Sequence, residues 1–287
     1  MRVARGRLGL CLVVTALATV PLAAASRVGP EPYRRPHVVL QWEATRALDS
    51  ALSRGEPIYC GGGRGNAVAL TFDDGPGPFT QRLLELLRNA DAHATFFLVG
   101  SRLRDWPEAP RAESQVGAVG NHTWSHPHLT ELPAWLVWAE LLRTQYEALQ
   151  ELGWKPRLFR PPYEQHDAAT DAIVRSLGLV QVMWSATSGD DLRHPTARSV
   201  ARSVIRELRP GAIVLMHDIH PWTVEAMPAI LAAIHARGLR AVSIPELLVL
   251  DPPARHQHCA FAAGGGLPPT AARPRARAGR RRSRAGG

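Results

Sequence analysis

Lysine is nearly missing from this chain: Lys155 stands alone among 34 basic residues, and all the others are arginine. A GC-rich genome accounts for that bias without any chemistry. Excess charge is also missing where a nucleic-acid partner would need it. The formal net charge is +9, but Arg2, Arg5 and Arg7 lie at the start, and Arg273, Arg275, Arg277, Arg280, Arg281, Arg282 and Arg284 lie in the tail. Setting these aside leaves 24 basic residues against 25 acidic ones, so nothing in the core argues for nucleic acid. After residue 25 no apolar run reaches the ~20 residues that a bilayer-crossing helix requires. No internal repeat is present. Cysteine is scarce at 3 residues, and Cys11 sits inside the N-terminal apolar run. That leaves Cys60 and Cys259, an even pair that in an exported protein suggests a disulfide. Their spacing alone leaves open whether the two meet.

What is present begins with an export signal. A positive stretch precedes an apolar run from Leu8 to about Ala25, which ends in Ala23-Ala24-Ala25-Ser26. Small residues there suit signal-peptidase cleavage after Ala25, so residues 1–25 read as a signal peptide of a secreted or envelope protein. An uncleaved membrane anchor is the alternative. Residues 26–66 read as a mostly irregular leader with a short helix around Glu43–Leu52. Residues 67–250 carry the core. Residues 251–287 form a Pro-, Ala- and Arg-rich tail whose composition cannot build a core, so disorder is expected; a solvated tail with no fixed partner is the favoured reading, and a loose contact with an anionic envelope the alternative. The protein is expected to act as a monomer.

Between 67 and 250, strand and helix patterns alternate. Ala67–Phe72, Ala94–Val99, Leu158–Arg160, Leu179–Trp184, Ala212–Met216 and Arg240–Val242 read as strands. Phe79–Asn89, Leu132–Leu152, Ala168–Leu177, Ala197–Leu208, Val224–Arg237 and Pro245–Val249 read as helices. In the long helix, Trp135, Trp138, Leu142 and Leu149 are expected in the core. Repeated β-then-α units predict an α/β fold with a parallel sheet, open or closed into a barrel. Asp73, Asp74, Arg160, Asp190 and His217 all fall at or just past predicted strand ends, the edge where α/β folds gather their sites.

The residue types there suit hydrolysis. Asp73 and Asp74 follow a buried strand and precede a Gly75-Pro76 turn, so one carboxylate can take a metal while the other faces a water. His122 and His126 stand four apart, a spacing that puts two imidazoles on one face of a helical turn. Two histidines and a carboxylate make a hydrolytic ion site, most simply for Zn2+. A lone pair of this spacing is more often surface or packing histidine. Phe159-Arg160-Pro161-Pro162-Tyr163 is a rigid turn carrying a cation and an aromatic. His217 ends a buried strand, either as a general acid or as a hydrogen-bonded core histidine.

Together these segments resemble the polysaccharide deacetylase family, the NodB-like catalytic domain, over about Val68–Leu248. The resemblance rests on TFDDGP at 71–76, NHTWSH at 121–126, FRPPY at 159–163 and IVLMHD at 213–218, with ATFFLVG at 94–100 between them. It implies a distorted (β/α) barrel and metal-dependent hydrolytic deacetylation. By resemblance, Asp74, His122 and His126 hold a divalent metal, most simply Zn2+. Asp73 matches the base and His217 the acid, with Arg160 tuning Asp73 and Asp190 tuning His217. The Tyr163 N–H would help hold the oxyanion, and Leu215 would line the acetyl-methyl pocket. Trp124 and Trp222 are candidates for stacking on sugar rings, with packing as the equal alternative.

The chain also departs from the family pattern. In the fourth motif Thr187 replaces the first acid and Asp191 replaces the tryptophan. Glu164 stands where glycine is common, and residues 115–120 replace the usual Gly-His-Glu approach to the second motif. The resemblance implies removal of N-acetyl groups from an amino-sugar polysaccharide, peptidoglycan or chitin-like. Two alternatives are an O-acetyl esterase acting on a glycan such as acetylated xylan, and a catalytically weak glycan-binding envelope protein.

Overall fold

The computed structural model describes residues 37–257 and Cys259. The expected signal, residues 26–36 of the leader and the arginines of the tail lie outside the described residues. Among the described residues no helix is long and apolar enough to cross a membrane.

Strand β1 (Ala67–Asp73) is buried at every position, as expected for a strand covered on both faces. It is followed by α2 (Thr80–Asn89), β2 (Ala94–Leu98), α3 (Ala109–Ser114) and β3 (Gly117–Asn121); α1 (His37–Arg54) comes before it. Next come α4 (Ala134–Leu152), β4 (Leu158–Phe159), α5 (Ala168–Ser176), β5 (Val180–Gln181), β6 (Ala186–Thr187) and α6 (Ala197–Glu207). The chain closes with β7 (Ile213–His217), α7 (Pro221–Ala236), β8 (Arg240–Val242) and α8 (Ile244–Leu250).

All pairings are parallel, in the order β5-β4-β3-β2-β1-β7-β6, with β8 beside β1. The two ends of this order, β5 and β6, belong to one short stretch. Residues 180–181 pair with β4, and 186–187 pair with β7. One segment therefore bridges both ends of the row and curls the sheet into a distorted (β/α) barrel, the expected class. β8 shares the β2 edge of β1, because Ala69 pairs with both Ile213 and Val242 while Thr71–Asp73 pair with β2 and β7.

The structure departs from four sequence expectations. Of the predicted strand Leu179–Trp184 only Val180–Gln181 is a strand, and the chain then changes partners to form a second short strand beyond it, Ala186–Thr187. β3 was not expected; glycine makes it a poor strand sequence, yet pairing with β2 over five positions holds it. Gly117 is required there, since a Cβ would come 1.9 Å from the Ala94 carbonyl oxygen. The helix expected at Glu43–Leu52 spans His37–Arg54, and its Leu48 and Ala51 join a core cluster with Leu247 and Ile244. In α4 the buried face is Val137, Leu141, Thr144, Gln145 and Ala148. Trp135 and Leu142 are exposed, and Trp138 and Leu149 are half-buried. The apolar stripe picked from sequence sits beside the true core face, which carries Thr144 and Gln145.

Cys60 and Cys259 form a disulfide with Cα atoms 5.8 Å apart. Nearby, Asp251 accepts the N–H groups of Gly63 and Arg64, and Gln257 accepts that of Tyr59. The segment after α8 is thus stitched to the segment before β1.

Candidate active site

The parallel register brings the polar clusters to one edge. Asp73 pairs with His217 across β1 and β7, and Asn121 with Phe159 across β3 and β4. His122 and Arg160 follow directly after the latter pair, and the His122 Nδ1 lies 2.7 Å from the Arg160 carbonyl oxygen. Donation of Nδ1–H to that carbonyl leaves Nε2 free to ligate a cation.

Asp74, His122 and His126 offer one ligand atom each, all within 4.8 Å of one another. Asp74 Oδ1 is 3.1 Å from His126 Nε2 and 3.5 Å from His122 Nε2. Both contacts are close without hydrogen-bond angles, and the buried Oδ1 has no partner. Three ligand atoms that converge without bonding one another suit a cation between them. Burial works to raise the Asp74 pKa, but its close polar contacts with His122 and His126, and then their charge when protonated, hold it well below the ordinary carboxylate range.

The expected helical turn at 122–126 is absent. Residues 122–126 form a loop after β3 in which Thr123 and His126 take left-handed backbone, φ 67° and 60°. The loop is fixed by its own hydrogen bonds. Asn121 Oδ1 accepts the Thr123 N–H, Thr123 Oγ1 accepts the His126 N–H, and Glu140 accepts the N–H groups of Trp124 and Ser125. The i, i+4 spacing therefore pointed to the right pair through the wrong geometry.

Arg160 is fully buried and every donor set is engaged. It donates to Asp73 Oδ1 at 2.8 Å, to Thr71 Oγ1 at 2.7 Å and to the carbonyls of Val182 and Met183 at 3.0 and 2.9 Å. Burial pulls its pKa down, and the Asp73 carboxylate opposes that pull. The remaining Asp73 oxygen lies 3.9 Å from His122 Nε2.

His217 faces Asp190 at 2.8 Å through Nδ1, and its backbone N–H donates to the other Asp190 oxygen at 2.7 Å. Thr223 Oγ1 donates to that same oxygen at 2.6 Å. Burial opposes an imidazolium at His217, but the hydrogen bond and charge of Asp190, with smaller contributions from Asp73 and Asp74, raise its pKa to about 9.

Tyr163 and Glu164 are both left-handed, φ 57° and 59°. The Tyr163 ring stacks on His128, with centroids 4.0 Å apart, and meets the edge of His126 at 4.6 Å. His128 lies outside the ligand trio. Leu215 is buried on β7 beside Thr71 and Thr187. Trp222 donates its indole N–H to the Asp190 carbonyl at 2.8 Å and stacks on His220, so it has a packing role whatever else it touches. Trp124 is buried, with the guanidinium groups of Arg104 and Arg143 over its ring, so it has a packing role. Of the departures, Thr187 and Asp191 are exposed beside buried Asp190.

Sequence reasoning gave no role to Thr71, Thr123, Glu140, Thr80 or Asp218. Thr71, Thr123 and Asp218 carried a signal, their places inside the motifs at 71–76, 121–126 and 213–218; Thr80 and Glu140 carried none.

The polysaccharide deacetylase family model matches residues 61–182. The chain is 35% identical over 182 residues to the peptidoglycan-N-acetylglucosamine deacetylase PgdA of Listeria monocytogenes, covering 63% of this chain and 38% of that protein. The chain thus spans well under half the length of that relative. It is 32% identical to a peptidoglycan-N-acetylglucosamine deacetylase of Bacillus cereus, covering 63% of this chain and 87% of that one. Among solved structures, a family 4 carbohydrate esterase from Streptomyces lividans in complex with acetate aligns with a TM-score of 0.59 at 36% identity, covering 62% of this chain and 92% of that chain.

Proposed function

The chain belongs to the polysaccharide deacetylase family, and on that premise we propose that it is a metal-dependent hydrolase that removes N-acetyl groups from an amino-sugar polysaccharide, with peptidoglycan as the favoured class. The observation that carries this reading is the buried, partnerless Asp74 oxygen facing two imidazole nitrogens, with a carboxylate base and a raised-pKa histidine alongside.

Asp74, His122 and His126 would hold the cation, most simply Zn2+. When bound, it lowers the pKa of a water and polarises the acetamide oxygen. Asp73 takes the proton of the attacking water, anchored in place by Arg160. The Tyr163 N–H supports the oxyanion, and Leu215 lines the space for the acetyl methyl. His217, charged at neutral pH because the Asp190 carboxylate at Nδ1 stabilises the imidazolium, passes its Nε2 proton to the departing amine. Trp222 stands at the groove wall. We place this activity outside the cytoplasm; a disulfide between Cys60 and Cys259 supports an oxidising compartment.

The test is acetate release by the full chain from N-acetylglucosamine oligomers, peptidoglycan and acetylated xylan, with zinc content measured in parallel. Release from the first two supports the proposal. Release from acetylated xylan alone transfers the site to O-acetyl esters. Bound zinc with no release from any substrate replaces the enzyme with a glycan-binding protein.

A further inference from the structure

Two features of the turn after β1 need an explanation that the ligand set does not supply. Asp74 sits at φ 69°, a backbone region L residues seldom occupy. The surroundings must over-determine it. Asp218 is 1% exposed, and one of its carboxylate oxygens, Oδ1, is buried with no partner. A buried, half-satisfied carboxylate is costly and calls for a compensating role.

The contacts of Asp218 converge on that turn. Because β1 and β7 are parallel and Asp73 pairs with His217, Asp218 follows the acid as Asp74 follows the base. Asp218 Oδ2 accepts the Thr80 hydroxyl, and the same hydroxyl oxygen accepts the Gly77 N–H at 2.8 Å. The carboxylate also lies directly against Gly75: a Cβ there would come 2.5 Å from Oδ1 and 2.9 Å from Oδ2. From the opposite side, the Val99 N–H holds the Gly75 carbonyl at 3.0 Å. Residues 74–77 are therefore clamped between β2 and the end of β7. The clamp explains why residue 75 must be glycine, which the turn alone does not.

We propose that Asp218, acting through Thr80, is a positioning residue for the cation site: it braces residues 75–77 so that the Asp74 carboxylate stays between His122 and His126. This rests on the reading of those three residues as cation ligands. It also links the two halves of the site physically, since the residue that follows the acid holds the turn that carries a metal ligand.

The test compares Asp218→Ala, Asp218→Asn and Thr80→Val in the full chain. It measures zinc affinity by competition with a chelating dye, and the alkaline limb of the activity profile in saturating zinc. Groups that orient metal ligands typically change affinity by about 10–100-fold. Asp218→Ala and Thr80→Val are expected to weaken zinc binding by about that factor, while the alkaline limb set by His217 stays in place. Asp218→Asn keeps an acceptor for Thr80 and is expected to recover most of the affinity. If Asp218→Ala does not fold, Thr80→Val, which is nearly isosteric, carries the decision. Unchanged zinc affinity in a folded Thr80→Val overturns the proposal. So does an Asp218→Asn protein as weak as Asp218→Ala, because charge rather than bracing would then be responsible. A wild-type chain that binds no zinc sinks the ligand reading itself, and this inference with it.

Discussion

The two halves of the site lie on neighbouring strands, yet their surroundings are opposite. On the β7 side, Asp190 is nearly saturated: one oxygen meets His217 Nδ1, and the other accepts the His217 N–H and the Thr223 hydroxyl. On the β1 side, Asp74 Oδ1 is buried, within 3.5 Å of two imidazole nitrogens and bonded to neither. A saturated network fixes one protonation state and one geometry. An unsaturated convergence of ligand atoms is stable only when a further group completes it. On the proposed reading, the difference separates a proton donor that is finished by the fold from a cation site that the fold leaves ready.

The largest expected effect comes from emptying the unsaturated side. Asp74→Ala should abolish zinc binding and lower kcat/KM for acetate release by about 1,000-fold or more, equivalent to about 4 kcal/mol. Removal of zinc by a chelator should have the same effect on wild type and should be reversed by adding zinc back. A variant that keeps full activity without zinc would erase the contrast between the halves.

Next in size is the saturated side. His217→Ala removes a general acid and should cost about 100–10,000-fold in kcat. Asp190→Asn tests how the acid is tuned. The folded pKa of His217 is raised to about 9 from 6.5. On the proposed reading the imidazolium is the active form, and activity falls as pH rises through the His217 pKa. Without the Asp190 charge, the alkaline limb should move toward neutral pH. A bound divalent cation opposes an imidazolium nearby, so the limb of the zinc-loaded enzyme should lie below that of His217 titrated in zinc-free protein by NMR. The same shift sets a stability dependence. The contribution of the charged His217 is fully present below its unfolded pKa of about 6.5 and is lost as pH rises through about 9. A limb that does not move in Asp190→Asn would remove Asp190 from its tuning role.

Away from the site, Cys60→Ser should lower unfolding stability by about 2–4 kcal/mol, because the disulfide closes a loop with a sequence separation of 199 residues. Denaturant melts with and without reductant measure it, and acetate release at low temperature should be spared. The smallest effect is expected at Glu164→Gly. Glu164 holds φ 59°, so glycine relieves about 1 kcal/mol of backbone cost there. Loss of stability in that variant would show that the Glu164 side chain contributes more than its backbone costs.

Much of this architecture was legible in the sequence, and the failures have physical causes. Buried parallel strands such as β1 and β7 read clearly because both faces are apolar. Strand ends also read clearly, so Asp73, Asp74, Arg160, Asp190 and His217 were found together at one edge. The fold itself rests on alternation, and the closing of the row by residues 180–187 was invisible because a strand that changes partners has no period of its own. β3 was missed because tertiary pairing overrides the poor strand propensity of Gly117 and Gly120. The α4 face was misread because an exposed stripe holding Trp135 and Leu142 is more apolar than the buried one holding Thr144 and Gln145. The histidine pair was identified by a helical spacing the chain does not use; left-handed turns at Thr123 and His126 leave little trace in a single sequence. The braces, Thr80 and Asp218 among them, act through contacts between distant residues, and no local pattern announces those. The departure at Glu164 is informative in reverse: a left-handed backbone is where glycine would be expected.

On the proposed function, the unsaturated trio holds the ion on which hydrolysis depends. Equilibrium dialysis of the full chain against zinc, paired with acetate release from N-acetylglucosamine oligomers on the same samples, tests it most directly. Wild type is expected to bind one tight zinc per chain and Asp74→Ala none, with acetate release rising in proportion to zinc occupancy. Acetate release at the wild-type rate from Asp74→Ala or from zinc-free protein would contradict it.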